Sequence, residues 1–285
     1  MTLMEIKEYY YKTLANVYSK NEIDFYFKIL IKSFFDWDLT IIVLYPNRKL
    51  SKEQSNKLIE SNKHMQKRCP IQYITGECFF MGYKFEVNKS VLIPRQETEE
   101  LVEWILNDNK EYDKALEVLD IGTGSGCIAV SLSAKKSNFI LSAIDNSTES
   151  LLIAKKNAEL IGVQINFIHD DILSFSKPRN IYDIIVSNPP YVSFSEKNNM
   201  DLKVLNFEPH SAIFVSKKKP LIFYKAILEF SILNLRDGGL VYFEINPLFF
   251  RSLLNLIQTY NRFEISTRKD LFGKNRMIRL KKKHE

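Results

Sequence analysis

The sequence has few of the residues that metal sites, disulfides and membrane anchors require. Its three cysteines, Cys69, Cys78 and Cys127, form no Cys-x-x-Cys pair, and its four histidines are scattered. A zinc site or a disulfide framework is therefore not expected, and the cysteine usage fits a reducing compartment. No apolar run approaches the ~18 residues of a membrane span, and the N-terminal stretch MTLMEIKEYYYK does not read as a signal peptide. We expect a cytoplasmic protein with no metal and no membrane partner.

Glycine is also scarce in the first quarter of the chain, where none precedes Gly76. Apolar side chains recur there with a helical period. Ser51 followed by Gln54 has the form of a capping box that opens one helix, and we expect Asn21 to cap another. These features predict an N-terminal helical domain over residues 1–72.

Glycines then separate aromatic and β-branched runs in GECFFMGYKFEV, which predicts a β-hairpin within a linker of residues 73–92. From residue 93 onward, strand and helix patterns alternate. Strands are expected at 115–121, 139–145, 164–169, 182–187, 240–245, 262–267 and 277–281. Such alternation is typical of an α/β fold with a parallel, doubly wound sheet. The sequence thus predicts an α/β domain over residues 93–285.

A glycine-rich loop in LEVLDIGTGSGCIA leads from a buried strand into a helix. Its glycines allow a sharp turn and let a ligand approach the backbone, and the helix N-terminus supplies free N–H groups. The next strand ends in Asp145, where a carboxylate can accept hydrogen bonds from both hydroxyls of a ribose. A plain tight turn and a solvated strand-end Asp are the alternatives. Together, the two features favour a ligand that contains ribose.

The glycine spacing is GxGxG, whereas a dinucleotide fingerprint is GxGxxG. We find no second nucleotide-binding half, and the loop resembles the S-adenosylmethionine loop of Rossmann-like methyltransferases. That resemblance implies that the cofactor lies against Gly122, Thr123, Gly124, Ser125 and Gly126. It also implies that two residues after the third strand contact adenine, Asp171 at the amino group and Ile172 on the ring. A surface acid beside a core isoleucine is the alternative for this pair.

The segment IYDIIVSNPPYV ends a strand in two prolines, which cannot donate to a sheet ladder. Asn188 therefore follows the strand at the edge where ligands of such sheets bind. An amide or aromatic-amine nitrogen has a delocalised lone pair and is a poor nucleophile. The Asn188 side-chain oxygen and the Pro189 carbonyl can accept hydrogen bonds from its N–H groups and expose the lone pair, while Tyr191 flanks the planar group. A strand-ending turn is the alternative reading.

These residues, in this order, resemble the methyltransferases that modify the glutamine amide nitrogen of peptide chain release factors. The matching segments are PIQYITGECFFMGYKFEVNKSVLIPRQETEELVEWIL, LDIGTGSGCIA, DNSTESLLIAKKNA, YDIIVSNPPYV, FEPHSAIF and DLFGKNR. They cover roughly residues 65–280. The resemblance implies a Rossmann-like class I methyltransferase sheet with an N-terminal helical domain and a β-hairpin linker.

By this resemblance, S-adenosylmethionine is the cofactor and class I release factors are the protein partners. The cofactor is held by the glycine loop, Asp145, Asp171, Ile172 and Asn188. The glutamine of a Gly-Gly-Gln motif is cradled by Asn188, Pro189, Pro190 and Tyr191. Arg95 and Thr98 are expected near the methionine end of the cofactor, and the helical domain is expected to grip the release factor. Two residues depart from the family pattern, because Asn246 and Phe249 stand where it usually has glycine and glutamine.

A nucleic-acid adenine-N6 methyltransferase is the nearest alternative, since an exocyclic adenine amine poses the same planar-nitrogen problem. An enzyme of that kind acting on duplex DNA must flip its base. The helical domain has no helix with clustered Lys/Arg and interleaved aromatics, so direct DNA binding is not expected. A non-catalytic adaptor is a second alternative, but it would not require the glycine loop, Asp145 and NPPY together. Glu97, Glu99, Glu100 and Glu103 suggest a solvated helical turn rather than a metal cluster.

Overall fold

The computed structural model describes residues 1–174 and 180–284. The helices are α1 (Leu3–Leu14), α2 (Lys20–Phe35), α3 (Ile41–Leu44), α4 (Lys52–Gln66), α5 (Ile71–Thr75), α6 (Gln96–Asp108), α7 (Cys127–Lys135), α8 (Thr148–Ile161), α9 (Leu202–Phe207), α10 (His210–Ile213), α11 (Ile222–Asn234) and α12 (Phe250–Tyr260). The strands are β1 (Glu77–Phe80), β2 (Tyr83–Glu86), β3 (Leu116–Ile121), β4 (Phe139–Asp145), β5 (Asn166–His169), β6 (Tyr182–Ser187), β7 (Val192–Ser193), β8 (Phe214–Val215), β9 (Leu235–Glu244), β10 (Phe263–Lys269) and β11 (Asn275–Lys282). No helix in these described stretches has the length and apolar character needed to cross a bilayer. The chain divides into two compact units, Met1–Glu77 with Asp201–Phe207, and Cys78–Met200 with Glu208–Glu285.

Capping boxes start the longer helices of the first unit. The Ser51 box with Gln54 that the sequence predicted is present at α4. The prediction that Asn21 caps α2 is wrong, because Asn21 lies within the helix and Ser19 caps it, accepting from the Glu22 N–H. The Glu22 carboxylate in turn accepts from the Ser19 N–H, so two of the otherwise unpaired N–H groups of the helix end are satisfied.

The core of the first unit is built from the apolar stripes of these helices. Tyr10 of α1 is fully buried, its hydroxyl donates to the Leu58 carbonyl at 2.6 Å, and its ring packs edge-on against Phe27. The unit also includes α9, from much later in the chain. Lys203 of α9 lies over the rings of Tyr18 and Tyr26, at 5.3 and 5.7 Å from their centroids. These contacts attach a segment that follows β7 to the helical unit.

The second unit contains a seven-stranded sheet in the order β10-β11-β9-β6-β3-β4-β5. Strands β5, β4, β3, β6 and β9 are parallel, and β11 runs antiparallel to its neighbours β9 and β10. The α/β fold class predicted from the sequence is therefore confirmed. β1 and β2 form the predicted hairpin as a separate two-stranded sheet. The central strands read as nearly continuous apolar runs because helices cover both faces of such a sheet.

Strand β9 begins earlier than the sequence predicted, at Leu235 instead of residue 240. The intervening Arg-Asp-Gly-Gly stretch reads as a turn, but it is an irregularity within the pairing of β9 with β6. A side chain at Gly239 would come within 3.0 Å of the Asp183 carbonyl of β6. The glycine therefore lets the two backbones approach closely where the register shifts.

The last glycine of the loop after β3 has a packing function. Gly126 has φ +80° and precedes α7, and a Cβ at this position would lie 3.0 Å from the Cβ of Ala154 in α8. A contact of 3.0 Å is tighter than nearly all contacts that real Cβ atoms make, so the absence of a side chain at residue 126 lets α7 and α8 approach this closely. Gly126 thus fixes the spacing of two helices on one face of the sheet.

We predict that Gly126→Ala destabilises the protein more than Gly162→Ala. Gly162 has the same φ of +80°, but nothing lies within 4 Å of a Cβ there. Both variants carry a left-handed backbone penalty of about 1–2 kcal/mol, and only Gly126→Ala adds the clash with α8, costing about 1–3 kcal/mol more. Urea unfolding of both variants measures the difference. Equal losses of stability would mean that α7 and α8 separate without cost and that Gly126 serves only the turn.

Candidate active site

A cleft lies at the carboxyl ends of the parallel strands of the second unit. Its walls bring together most of the predicted site residues: Gly122, Thr123, Gly124, Ser125, Asp145, Asp171, Ile172, Asn188, Pro189 and Pro190. Arg95, which precedes α6, and Thr98 of the first turn of α6 line it as well, as do Ser150, Ser211 and Phe223. Two predicted site residues, Gly126 and Tyr191, are not among the lining residues. Parallel strands end at a common edge, which is why segments far apart in sequence meet here.

Asp145 is held at the end of β4 by two backbone N–H groups. Its Oδ2 accepts from Gly124 at 2.8 Å, and its Oδ1 accepts from Ser147 at 2.9 Å. Burial raises the pKa of Asp145 above its usual value, while these N–H donors favour the charged form. Each carboxylate oxygen retains acceptor capacity beyond one hydrogen bond. The residue is therefore placed to accept two further hydroxyl donors from a ligand in the cleft.

The glycine loop leaves open space over its backbone. A Cβ placed at Gly122 or at Gly124 would meet no atom within 4 Å. In contrast to Gly126, these two glycines are not required by packing against the protein, so the space above them is available to a ligand. Both residues line the cleft. The cradle fits a ligand that lies directly on the backbone, as the sequence predicted for S-adenosylmethionine.

The side chain of Asp120 stabilises the conformation of this loop. It is fully buried, and its Oδ2 accepts from the Thr123 hydroxyl at 2.6 Å. Burial raises the pKa of Asp120 to about 7, against the hydrogen bond from Thr123. The sequence analysis did not single out this residue, although it stands directly before the glycine loop.

Asp171 and Ile172 follow β5 and open a short 3-10 turn, Ile172–Ser174. Asp171 Oδ1 accepts from the Leu173 N–H at 2.9 Å, which fixes the carboxylate at the start of the turn. Both residues are partly exposed and line the cleft. One polar and one apolar group thus stand side by side, as contact with the edge and the face of a planar ring requires.

The Asn-Pro-Pro-Tyr segment follows β6 on the opposite side of the cleft. Asn188 donates from Nδ2 to the Thr98 hydroxyl at 3.1 Å. Tyr191 turns its hydroxyl away from the cleft and donates to Glu244 Oε1 at 2.9 Å. Burial and the neighbouring Glu244 raise the pKa of Tyr191 well above its usual value, so its phenol stays protonated. The phenol is consequently a fixed structural group rather than a base.

Glu244 and Glu208 are buried acids that the sequence analysis missed. Glu244 ends β9 and accepts from Thr98 at 2.6 Å as well as from Tyr191. Glu208 is paired with Arg95 and also accepts from the Ile93 N–H at 3.3 Å. Glu208 stands in FEPHSAIF, a segment that resembles the family, and this was the available signal for it, whereas Glu244 stands in FEINPLFF, where the sequence departs from the family pattern. Each fixes a residue that lines the cleft.

Two glutamates of the acidic run in α6 accept hydrogen bonds from main-chain N–H groups. Glu99 accepts from the Met81 N–H of the hairpin turn, and Glu100 accepts from the Leu271 N–H at 3.3 Å. Across residues 1–174 and 180–284, no group of three or more His, Cys, Asp or Glu side chains is arranged to hold a metal ion.

Asn246, which the sequence analysis singled out as a departure from the resembled family, binds the Asn-Pro-Pro-Tyr segment through its side-chain amide. Its Nδ2 donates to the Tyr191 carbonyl at 3.2 Å and to Glu196 Oε1 at 3.0 Å. Its Oδ1 accepts from the Leu248 N–H and caps the short turn Pro247–Phe249. The asparagine therefore has a defined structural use at this position. Nothing in the structure accounts for Phe249.

Comparison with solved structures shows the same fold in other proteins. A 16S rRNA N2 methyltransferase of Thermus thermophilus, solved with AdoMet and guanosine, matches with a TM-score of 0.54 at 19% identity, covering 73% of this chain and 50% of that one. A methyltransferase of Pyrococcus furiosus matches with a TM-score of 0.52 at 14% identity, covering 82% of this chain and all of that one. At such low identities these matches establish the fold alone.

Sequence comparison is more specific. Residues 98–206 match the methyltransferase small domain, and residues 10–76 match the PrmC N-terminal domain. A release factor glutamine methyltransferase of Flavobacterium psychrophilum is 42% identical over 97% of this chain and 99% of its own length. One of Bacteroides thetaiotaomicron is 38% identical over 96% of this chain and 98% of its own. With both domain models and nearly full-length relatives in agreement, the chain belongs to the release factor glutamine methyltransferase family.

Proposed function

We propose that the protein transfers a methyl group from S-adenosylmethionine to the side-chain amide nitrogen of a glutamine, the one in the Gly-Gly-Gln motif of class I release factors. The observation that carries the proposal is the meeting of Asn188 and Pro189 with Asp145 and the open glycine loop in one cleft. A cofactor site and a planar-amide site thus share a single cavity. A release factor acts in translation, so we also propose a cytoplasmic location.

In this proposal, different residues of the cleft bind different parts of the cofactor. The backbone of Gly122 to Ser125 lies under its middle, and Asp145 accepts the ribose hydroxyls. Asp171 accepts the adenine amino group, and Ile172 packs on the ring. The cofactor supplies an electrophilic methyl group on a sulfonium centre. A donor activated in this way needs neither a metal nor a strong base in the protein.

The chain's own contribution to the chemistry is the orientation of the glutamine. The Asn188 side-chain oxygen and the Pro189 carbonyl accept the two amide N–H bonds and expose the nitrogen lone pair to the methyl group. The proton leaves the nitrogen after transfer. Pro190 stiffens the segment, and Tyr191 forms a fixed support next to it. Positioning of this kind can contribute several kcal/mol to barrier lowering, up to roughly 7–11.

The helical unit serves, in this proposal, to dock the release factor. A glutamine at the tip of a loop offers little surface for recognition, and contacts remote from the amide can supply affinity and orientation. The first unit exposes a run of apolar side chains at α3, where Val43, Leu44 and Tyr45 are 78, 66 and 64% exposed. Exposed apolar clusters of this type are frequent at protein interaction sites.

The substrate class can be tested by offering intact release factor, duplex DNA and tRNA side by side with radiolabelled S-adenosylmethionine. Label in the release factor alone, abolished when its Gly-Gly-Gln glutamine is replaced by alanine, is the expected result. Label in DNA or tRNA at a comparable rate would favour an adenine methyltransferase instead. Binding of cofactor with no transfer to any of the three would favour an adaptor.

We predict that Asp145→Ala weakens S-adenosylmethionine binding about 10- to 150-fold, the scale of lost hydrogen bonds to a charged group. Isothermal titration calorimetry measures this. Asp183→Ala is the matched control, because Asp183 also accepts a backbone N–H, from Glu117 at 2.8 Å, but does not line the cleft. If both variants bind the cofactor like the wild type, the ribose assignment of Asp145 is wrong.

Asn188→Ala is expected to lower kcat about 100-fold or more while it changes cofactor affinity little, because the lost acceptor is aimed at the glutamine. Steady-state methylation of release factor gives kcat, and calorimetry on the same preparation gives the cofactor dissociation constant. Near-normal turnover at saturating substrate would contradict the assigned role of the Asn-Pro-Pro-Tyr segment.

We predict that replacing Val43 and Leu44 together by serine lowers kcat/KM for intact release factor at least about 10-fold, since docking contacts are lost. Activity on a short Gly-Gly-Gln peptide should not change. The matched control replaces Leu152 and Leu160 of α8, which are 60 and 54% exposed in the second unit. Unchanged activity of the Val43/Leu44 variant on the intact factor would exclude α3 as the docking site.

A further inference from the structure

Glu244 is the buried acid that the proposed chemistry leaves unused. Its side chain is 1% exposed and lies behind the cleft, outside the lining residues. Burying a carboxylate is costly unless hydrogen bonds compensate it. Here each oxygen accepts one hydroxyl proton, Oε2 from Thr98 at 2.6 Å and Oε1 from Tyr191 at 2.9 Å. Tyr191 belongs to the predicted substrate segment, and Thr98 is the residue expected near the methionine end of the cofactor.

Opposing effects act on the charge of Glu244, and burial is the largest of them. Burial raises the pKa of the Glu244 carboxyl, and the hydrogen bonds from Thr98 and Tyr191, together with the positive charge of Arg276 on β11, act in the opposite direction. Tyr224 of α11 donates to the Glu244 main-chain carbonyl at 2.9 Å and leaves the carboxylate oxygens to the other two hydroxyls.

The direction of these hydrogen bonds determines which way the Asn188 amide faces. Glu244 Oε2 accepts from Thr98, so the single proton of the Thr98 hydroxyl points to Glu244. The Thr98 oxygen is then left with acceptor capacity alone. Asn188 lies 3.1 Å from that oxygen and can satisfy it only with its NH2 group. Its side-chain oxygen must therefore face away from Thr98.

A second side chain at the end of β9 holds the same segment. Asn246 follows Glu244 by two residues and donates to the Tyr191 carbonyl at 3.2 Å. The segment from Asn188 to Tyr191 is thus bound at three points to groups that β9 positions: the Asn188 amide through Thr98, the Tyr191 hydroxyl, and the Tyr191 carbonyl.

We propose that Glu244 and Thr98 are positioning residues that fix the polarity of the Asn188 amide, so that its oxygen rather than its NH2 group is presented to the methyl acceptor. The proposal rests on the proposed function, because it concerns how Asn188 receives an amide N–H donor. If the Asn188 amide were reversed, its NH2 group would face an N–H group of the substrate glutamine. The glutamine would then lose one of the two hydrogen bonds that orient it. The hydrogen bond that Glu244 accepts thereby selects which group of Asn188 faces the cleft, through the one intervening hydroxyl of Thr98.

The test compares Thr98→Val, which keeps the shape but loses the hydroxyl, with Thr98→Ser, which keeps the hydroxyl. Thr98→Val should lower kcat about 10- to 100-fold, because the Asn188 amide is no longer held in one orientation. Thr98→Ser should restore most of that loss. The KM for release factor should change less than kcat, since docking lies elsewhere. Because Thr98 also lines the cleft, its replacement can change cofactor affinity as well as kcat. Calorimetry with S-adenosylmethionine measures the change in affinity separately.

A double-mutant cycle then asks whether Thr98 acts through Asn188. In the Asn188→Ala background, Thr98→Val should cause no further loss of kcat, whereas a general structural defect would lower kcat by the same factor in both backgrounds. Equal factors would overturn the proposal.

Glu244→Gln provides a second variant of nearly unchanged shape. One of the two hydroxyls then faces an NH2 group in place of an acceptor, so kcat should fall while cofactor affinity stays near that of the wild type. Wild-type kcat in both Thr98→Val and Glu244→Gln would overturn the proposal while leaving the proposed function intact. If the wild-type protein itself fails to methylate release factor, it is the proposed function that fails.

Discussion

The common edge at which parallel strands end is the constraint on which the site depends. The Gly122 loop follows β3, Asp145 ends β4, Asp171 follows β5, and Asn188 follows β6. No two of these groups are close in sequence, and only the parallel register of the strands brings them into one cleft. The register is strict because β3 and β6 are buried on both faces, where a slip by one residue would exchange every side chain between the faces.

Several acids near the cleft are buried or half-buried, and each is compensated in a different way. Asp145 accepts backbone N–H groups, Glu208 pairs with Arg95, and Glu244 accepts two hydroxyls. Such groups contribute little net stability against an apolar replacement, because desolvation offsets their hydrogen bonds. Removing a single partner, however, leaves an uncompensated charge. The arrangement therefore holds cleft residues in one geometry, which a site that must align a weak nucleophile requires.

The sequence was sufficient to predict the parts of the molecule in which the local residue pattern and the tertiary contacts favour the same structure. The bounds of β4, α8 and β6 are the predicted ones, because each has an apolar pattern of strand or helix period and clear end signals. Predictions failed where two local signals competed or where contacts distant in sequence decide. Asn21 and Ser19 are both plausible caps, and only the reciprocal bond to Glu22 selects Ser19. The start of β9 was missed because Arg-Asp-Gly-Gly reads as a turn, whereas its pairing with β6 keeps it in the strand.

The same limit explains why the cleft was predicted but its support was not. The Asn-Pro-Pro-Tyr motif marks a segment whose first three residues line the cleft, while the groups behind it are single side chains on other elements. Glu244 and Asn246 are separated from Tyr191 by more than fifty residues, and no local pattern links them. Asn246 adds a side-chain bond to the Tyr191 carbonyl that a glycine at this position could not make. The residue that the sequence analysis singled out as a departure from the resembled family therefore strengthens the hold of β9 on the segment that carries Asn188.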